Sequence, residues 1–464
     1  MSSERSGKKL RIDDKLRRNI RELGDLLGEV LVEQEGAALL DTVEKLRGLT
    51  KKWRTGSGAG VRRSMKAIVS KLSAPEAYNV IKAFSIYFIL VNAADEVHGI
   101  VKRKRRSGKG GGEGDFYREA FAEMKGLEMS PAALERVLAS IEITPVFTAH
   151  PTEATRQTIL RKILKISSLL LDRELRAITP ADGDRERRRI KTEITLLWQS
   201  NEIRFHKVTV EDEIMRGIFF FKNVFYRVLP EFYEDIEDQF EQQLGYAKTV
   251  PELVRFGSWI GADRDGHPFV SEDVTRKTWE IQRREIIQLY LRELNAMYHE
   301  LSPSTLIRKA DRKLVASIRR EQQELGIAST DHTLREASEV YRAKLYLIHK
   351  KLENTRARTA PCYAAPEDFM ADLRMMHDSL ADNRGASIAR QLLRPLMRKV
   401  GTFGFHMARL DIRQNASLLR AAVGEIHDAL HTKGAYESLD EPGRVAWLTR
   451  EITNPRPLLN QFSA

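Results

Sequence analysis

Apolar residues in the first ninety positions recur every three or four places. Ile20, Leu23, Leu26, Leu27, Val30 and Leu31 form one such stripe, a spacing that predicts amphipathic helix with one buried face. The same period governs residues 186–204, 211–245, 271–301, 303–325, 333–357 and 366–399, so helix is the predicted majority state. Two stretches break it. SIEITPVFTAH, Ser140 to His150, is rich in β-branched and aromatic residues and predicts a buried strand over about 141–149. A helix should follow directly, with Thr152 or Thr155 as its cap and Glu153 in its first turn. TFGFHMARLDI predicts a second strand over 402–412, followed by a helix from Gln414 to Leu430.

Two strands, each leading into a helix, are the opening elements of parallel α/β construction, but a parallel barrel needs about eight. The predicted fold is therefore mainly α: long helices with the first few strands of an incomplete parallel (β/α) barrel. The missing strands lie either within the helical segments or on another polypeptide. The expected division is a helical region over 1–139 and a region over 140–464 that holds both strands and a large helical insertion. VKRKRRSGKGGGEGD, residues 101–115, joins like charges to glycines and predicts a mobile surface loop.

Composition narrows the class. At 464 residues, 42% hydrophobic and 31% charged, with a mean hydropathy of −0.41, the chain is globular in character and can bury a sizeable core. No run of about eighteen apolar residues predicts a membrane span, and charged side chains stand where a signal peptide needs apolar ones. Cys362 is the single cysteine, which excludes an intrachain disulfide and a multi-thiolate metal site and favours a reducing compartment. Cytoplasmic location is the expectation. The net charge of +12 invites a nucleic-acid reading, but residues 1–18 and 102–109 together hold ten of those twelve charges. A terminal arm and a loop do not line a groove, so nucleic-acid binding is disfavoured.

Candidate chemistry clusters at three places. His150 follows the first strand, with Thr148, Thr152, Glu153, Thr155 and Arg156 around it, a set suited to an oxyanion at the carboxyl end of a barrel strand. Its plain alternative is a histidine capping the next helix. FGSWIGADRDGHPFV, residues 256–270, packs Asp263, Arg264 and Asp265 into one glycine-rich turn. Calcium binding is excluded there, because the glycine comes too early and the twelfth-position glutamate is missing. Arg409, Asp411 and Arg413 alternate along the second strand and should share a face, with Asp411 fixing two guanidinium groups for phosphate or carboxylate. A structural salt bridge is the alternative. Walker, GxSxG and HExxH motifs do not occur, and Trp198 and Trp259 read as core or interface fillers.

VFTAHPTEATRQT resembles the histidine signature of phosphoenolpyruvate carboxylases. LLWQSNEIRFHKVTVEDEIMRGI, GSWIGADRDGHP and FGFHMARLDIRQN resemble three further segments of that family, in the same order. The resemblance starts near residue 10 and covers roughly the first half of the family's chain. It implies the family's parallel barrel and the carboxylation of phosphoenolpyruvate by bicarbonate, through carboxyphosphate and an enolate, to oxaloacetate and phosphate. It also implies a Mg2+ or Mn2+ cofactor whose ligands lie beyond this sequence, with no metal ligand within it. His150 would assist carboxyphosphate breakdown and Arg413 would hold the phosphoryl group. Arg156, Arg409, Asp263, Arg264 and Asp265 would bind substrate or support the site. Gln157, Ala262, His267, Asn415 and Ala416 depart from the family's usual residues. A second polypeptide would complete the barrel in a split enzyme, and a complete assembly would be a homo-oligomer. An inactive helical scaffold derived from such an enzyme is the rival expectation.

Overall fold

A computed structural model describes residues 14–55, 58–107, 116–148, 155–176, 179–201, 208–246, 249–265, 269–328, 338–430 and 436–455. It is mainly α, with long helices and one small parallel sheet. In place of a single boundary near residue 139, the chain packs as two compact units, 1–120 with 153–207 and 121–152 with 208–464.

The first unit begins with α1 (Asp14–Glu35), α2 (Ala37–Arg54), α3 (Ala59–Val69) and α4 (Ala74–Ser107). In α1, Leu16, Leu23, Leu26, Leu27, Val30 and Leu31 are all buried, so the stripe read from the sequence is its core face. The helix α4 runs six residues past the expected start of the basic loop, because Val101 continues its buried face after Val97. The rest of that loop, 108–115, lies outside the described residues.

Next come α5 (Phe116–Gly126), α6 (Pro131–Ser140), β1 (Val146–Phe147), α7 (Gln157–Leu175) and α8 (Pro180–Gln199). Ile159, Ile166 and Leu170 of α7 and Ile190, Ile194, Leu197 and Trp198 of α8 complete the core of the first unit. Trp198 is the expected filler. Thr155 does not cap α7; Arg156 occupies that position with no side-chain bond to the helix.

The second unit continues with α9 (Val210–Phe220) and α10 (Tyr226–Leu244), joined by a π-helical turn over Phe221–Phe225. After them come β2 (Gly257–Ser258), α11 (Glu272–Glu300), α12 (Arg312–Glu324) and α13 (Val340–Ala357). The remainder is α14 (Pro366–Leu380), α15 (Ala386–Ile388), α16 (Arg394–Phe403), β3 (Arg409–Leu410), α17 (Ala416–Leu430) and α18 (Glu441–Ile452). Residues 303–311, expected as helix, lie in turns and irregular chain instead, and α12 starts afresh after Asp311. Lys344 is wholly buried among Glu321, Asp372 and Lys351, tying α12, α13 and α14 together.

The three strands form one parallel sheet in the order β1, β2, β3, with Val146 opposite Gly257 and Gly257 opposite Arg409. The expected strand over 141–149 shrinks to two residues and an isolated pairing of Ile143 with Val254, because Pro145 has no N–H to donate. Nor is it buried: Val146 is 40% exposed. The expected strand over 402–412 shrinks likewise. Thr402 and Phe403 finish α16, continuing the spacing of Leu396 and Val400, and only Arg409–Leu410 pair as strand. The central strand, β2, lies in the segment expected to be a turn.

Register assigns the two faces. Phe147, Phe256, Ser258 and Leu410 lie on one, and Val146, Gly257, Arg409 and Asp411 on the other. The first face meets the helices. Phe147 sits 4.8 Å from Phe221 and 5.3 Å from Phe225, and Phe256 stacks on Phe403 at 5.5 Å. The π-helical turn places Phe221 and Phe225 there together. On the opposite face Val146, Arg409 and Asp411 are exposed.

Candidate active site

Because the strands are parallel, their carboxyl ends share one end of the sheet, where a βα architecture builds its sites. There the β2 strand runs into a tight loop. The amides of Ala262 and Asp263 both donate to the Trp259 carbonyl at 2.9 Å. Gly261 makes this possible. Its φ is +76°, and a Cβ at that position would lie 2.1 Å from Thr278 Oγ1, so a side chain is excluded by backbone strain and by contact.

The loop is stitched to the residues after β3. Asp263 pairs with Arg413 in an isolated parallel bridge, and the Arg264 amide donates to the Arg413 carbonyl at 2.9 Å. Side chains reinforce this. Arg413 Nη1 lies 3.3 Å from Asp263 Oδ2 and Nη2 lies 3.6 Å from Asp265 Oδ2. The guanidinium carbon stands 4.1 Å from the Trp259 ring centroid. Asp263 is braced in turn, accepting the Asp265 amide at 3.1 Å. Two carboxylates and an indole thus hold one arginine that remains 40% exposed, leaving guanidinium surface for an incoming anion.

The site departs from the sequence expectation in specific ways. Arg409 and Asp411 share a face, but Arg409 opens β3 while Arg413 follows its end, a separation of about 13 Å at strand rise. The two guanidinium groups do not converge. Asp411 fixes neither: Arg409 pairs with Glu142 at 3.3 Å, and Asp263 and Asp265 hold Arg413. Arg264 turns away to Glu272 at 3.4 Å, the plain structural pairing. Arg156 belongs to the first unit, where it donates to the Asn201 carbonyl at 2.6 Å. His150 and His267 lie outside the described residues; Thr148, the last described residue after β1, is exposed. Trp259, expected as a filler, is instead the platform beneath Arg413. Its position, two residues before the glycine of a charged loop, was the signal that it serves the loop. Among the described residues no three His, Cys, Asp or Glu side chains converge to hold a metal, and none of the described helices is long and apolar enough to cross a membrane.

Comparison with known proteins decides the family. The sequence profile of phosphoenolpyruvate carboxylase matches residues 16–463. The chain belongs to the phosphoenolpyruvate carboxylase family. It is similar to the phosphoenolpyruvate carboxylase of Bradyrhizobium diazoefficiens, 34% identical over 98% of this chain and 49% of the relative. Those of Rhodopseudomonas palustris strain HaA2 and Ralstonia nicotianae are each 33% identical, over 98% and 99% of this chain and 49% and 48% of the relative. The chain therefore spans about half the length of the curated phosphoenolpyruvate carboxylases it matches.

Proposed function

We propose that this chain contributes one part of an active site that carboxylates phosphoenolpyruvate with bicarbonate. The observation that carries the reading is Arg413, held by Asp263, Asp265 and Trp259 at the carboxyl end of a parallel sheet with part of its guanidinium open. A bidentate guanidinium suits a phosphoryl or carboxylate group. In the proposed reaction a bicarbonate oxygen attacks phosphorus and the bond to the enol oxygen breaks, giving carboxyphosphate and the enolate of pyruvate. Carboxyphosphate then loses carbon dioxide to leave phosphate, and the enolate carbon captures the carbon dioxide as oxaloacetate.

Arg413 would hold the phosphoryl oxygens through the first step, and His150 would manage the carboxyphosphate proton in the second. Water must be kept from the enolate, since protonation would yield pyruvate. Among the described residues one face of the sheet, carrying Val146, Arg409 and Asp411, is exposed. We assign the closure to further parallel strands, supplied by a longer form of the chain or by a second polypeptide, in a homo-oligomeric, cytoplasmic enzyme. Mg2+ or Mn2+, which the family resemblance implies, is assigned to those further strands, and no step assigned to this chain runs through it.

The test is oxaloacetate formation with phosphoenolpyruvate, bicarbonate and magnesium. It is run first with the 464-residue chain, then with the chain co-expressed with the product of the adjacent reading frame. Activity in the second case, lost in His150→Asn and Arg413→Ala, is expected. Undiminished carboxylation by either variant refutes its role, and no oxaloacetate from any assembly favours an inactive scaffold.

A further inference from the structure

A cavity of about 260 Å³ opens in the second unit at the amino-terminal end of the same sheet, away from Arg413. Three arginines from separate segments line it: Arg255 just before β2, Arg374 from α14 and Arg409 at the start of β3. Glu252, Glu367 and His406 complete its charged lining.

We infer that this cavity is a binding site for a small organic oxyanion, a phosphate monoester or a carboxylate, independent of the Arg413 mouth. The charge arrangement carries the inference. Glu252 is committed elsewhere: it pairs with Arg398 at 3.6 Å, and Arg398 and Arg394 both pair with Glu237, which makes a neutral set of four. Glu142, outside the cavity lining, serves two arginines at once, lying 3.3 Å from Arg409 and 3.7 Å from Arg255. Arg374 forms no ion pair or hydrogen bond among the described residues. Three guanidinium groups thus face two carboxylates, Glu142 and Glu367, and the cavity is short of negative charge.

His406 belongs to the same wall. Gly404, with φ +50°, is packed so closely that a Cβ there would lie 2.7 Å from the imidazole, which fixes the ring in the cavity wall. Burial lowers the pKa of this imidazole, Arg409 and Arg255 lower it further, and Glu367 opposes them. Thr402 also lines the wall, and its buried hydroxyl has no hydrogen-bond partner among the described residues. A ligand with one oxyanion head and a hydroxyl or amino group could engage the arginines and Glu367 together.

The test is calorimetric titration of the 464-residue chain at low ionic strength with inorganic phosphate and, separately, with succinate. Saturable binding of either supports the site, and the tighter of the two names the ligand class. Arg374→Ala, which breaks no described contact, and Arg409→Ala should each weaken binding at least about tenfold, the loss expected for one charged hydrogen bond. Arg413→Ala should leave a site of unchanged affinity, with thermal melts confirming that all three variants fold. The inference is overturned by the absence of saturable binding, by binding untouched in both Arg374→Ala and Arg409→Ala, or by binding lost in Arg413→Ala alone.

Discussion

The guanidinium of Arg413 lies over the indole of Trp259, 4.1 Å from its centroid, while two carboxylates of the same loop hold its nitrogens from the side. The three contacts leave one orientation for a side chain that would otherwise sample many rotamers. Arg413 is therefore pre-organised, and its partners act through it.

Trp259→Leu tests the platform. A cation–π contact contributes about 0.5–2 kcal/mol, so kcat/KM of an active assembly should fall about 2- to 30-fold, with the thermal midpoint nearly unchanged. Steady-state kinetics beside a melt separates the outcomes. Lost stability with unaltered kcat/KM would return Trp259 to the role of filler.

Gly261→Ala tests the loop on which Trp259 and Asp263 sit. The new Cβ meets Thr278 Oγ1 and is held at φ +76°; the contact and the left-handed backbone should together destabilise by about 2–4 kcal/mol. Adding Thr278→Ala removes Oγ1 and should recover only the contact part. Urea unfolding of both single variants and the double variant gives the cycle, and full recovery would show that the backbone carries no strain.

How much of this was legible in the sequence depends on whether a signal lives in side-chain period or in backbone pairing. The α1 stripe was legible because Leu23, Leu26, Leu27, Val30 and Leu31 must all reach one core. Gly257 and Ser258 were not: they are strand only because backbone groups on both sides bond to them, and neither residue announces that. Thr402 and Phe403 looked extended, but Phe403 completes the buried stripe of α16. Alternation placed Arg409 and Asp411 on one face correctly. It could not show that Glu142, far away in sequence, would take Arg409 and leave Arg413 to the glycine loop.

The buried Lys344 predicts an acid and an alkaline limit to stability. Burial pushes the Asp372 carboxyl upward, but Lys344 and Lys351 outweigh it and the net pKa is lowered. A lowered carboxylate contributes stability above its unfolded value, about 3.9, and that contribution is lost as pH falls through the folded value. The Tyr363 hydroxyl, which donates to Asp372 at 2.7 Å, is raised well above its ordinary value by burial and by that carboxylate. It contributes stability below its unfolded value, about 10, and that contribution is lost as pH rises through its folded value. Lys344→Met should cost about 3–5 kcal/mol at pH 7, since it strands buried carboxylates. Asp372→Asn should flatten the acid limb of the urea midpoint against pH. An unchanged acid limb would show that the cluster does not set it.

The exposed face of the sheet predicts how the chain behaves without a covering partner. Parallel strands are ordinarily covered on both faces, yet Val146 on this face is 40% exposed, and among the described residues β1 and β3 each present an outer edge. Unpaired edges beside apolar side chains favour association between copies. The 464-residue chain should therefore self-associate with rising concentration in light-scattering-coupled chromatography. Val146→Glu should reduce this without lowering the thermal midpoint, because it places charge on a face that touches no core. Co-expression with strands that complete the sheet should suppress it in the unaltered chain. A monodisperse monomer at high concentration, with the exposed face intact and no partner bound, would mean that the chain covers its own sheet, and the proposal that further strands close the site would fall with it.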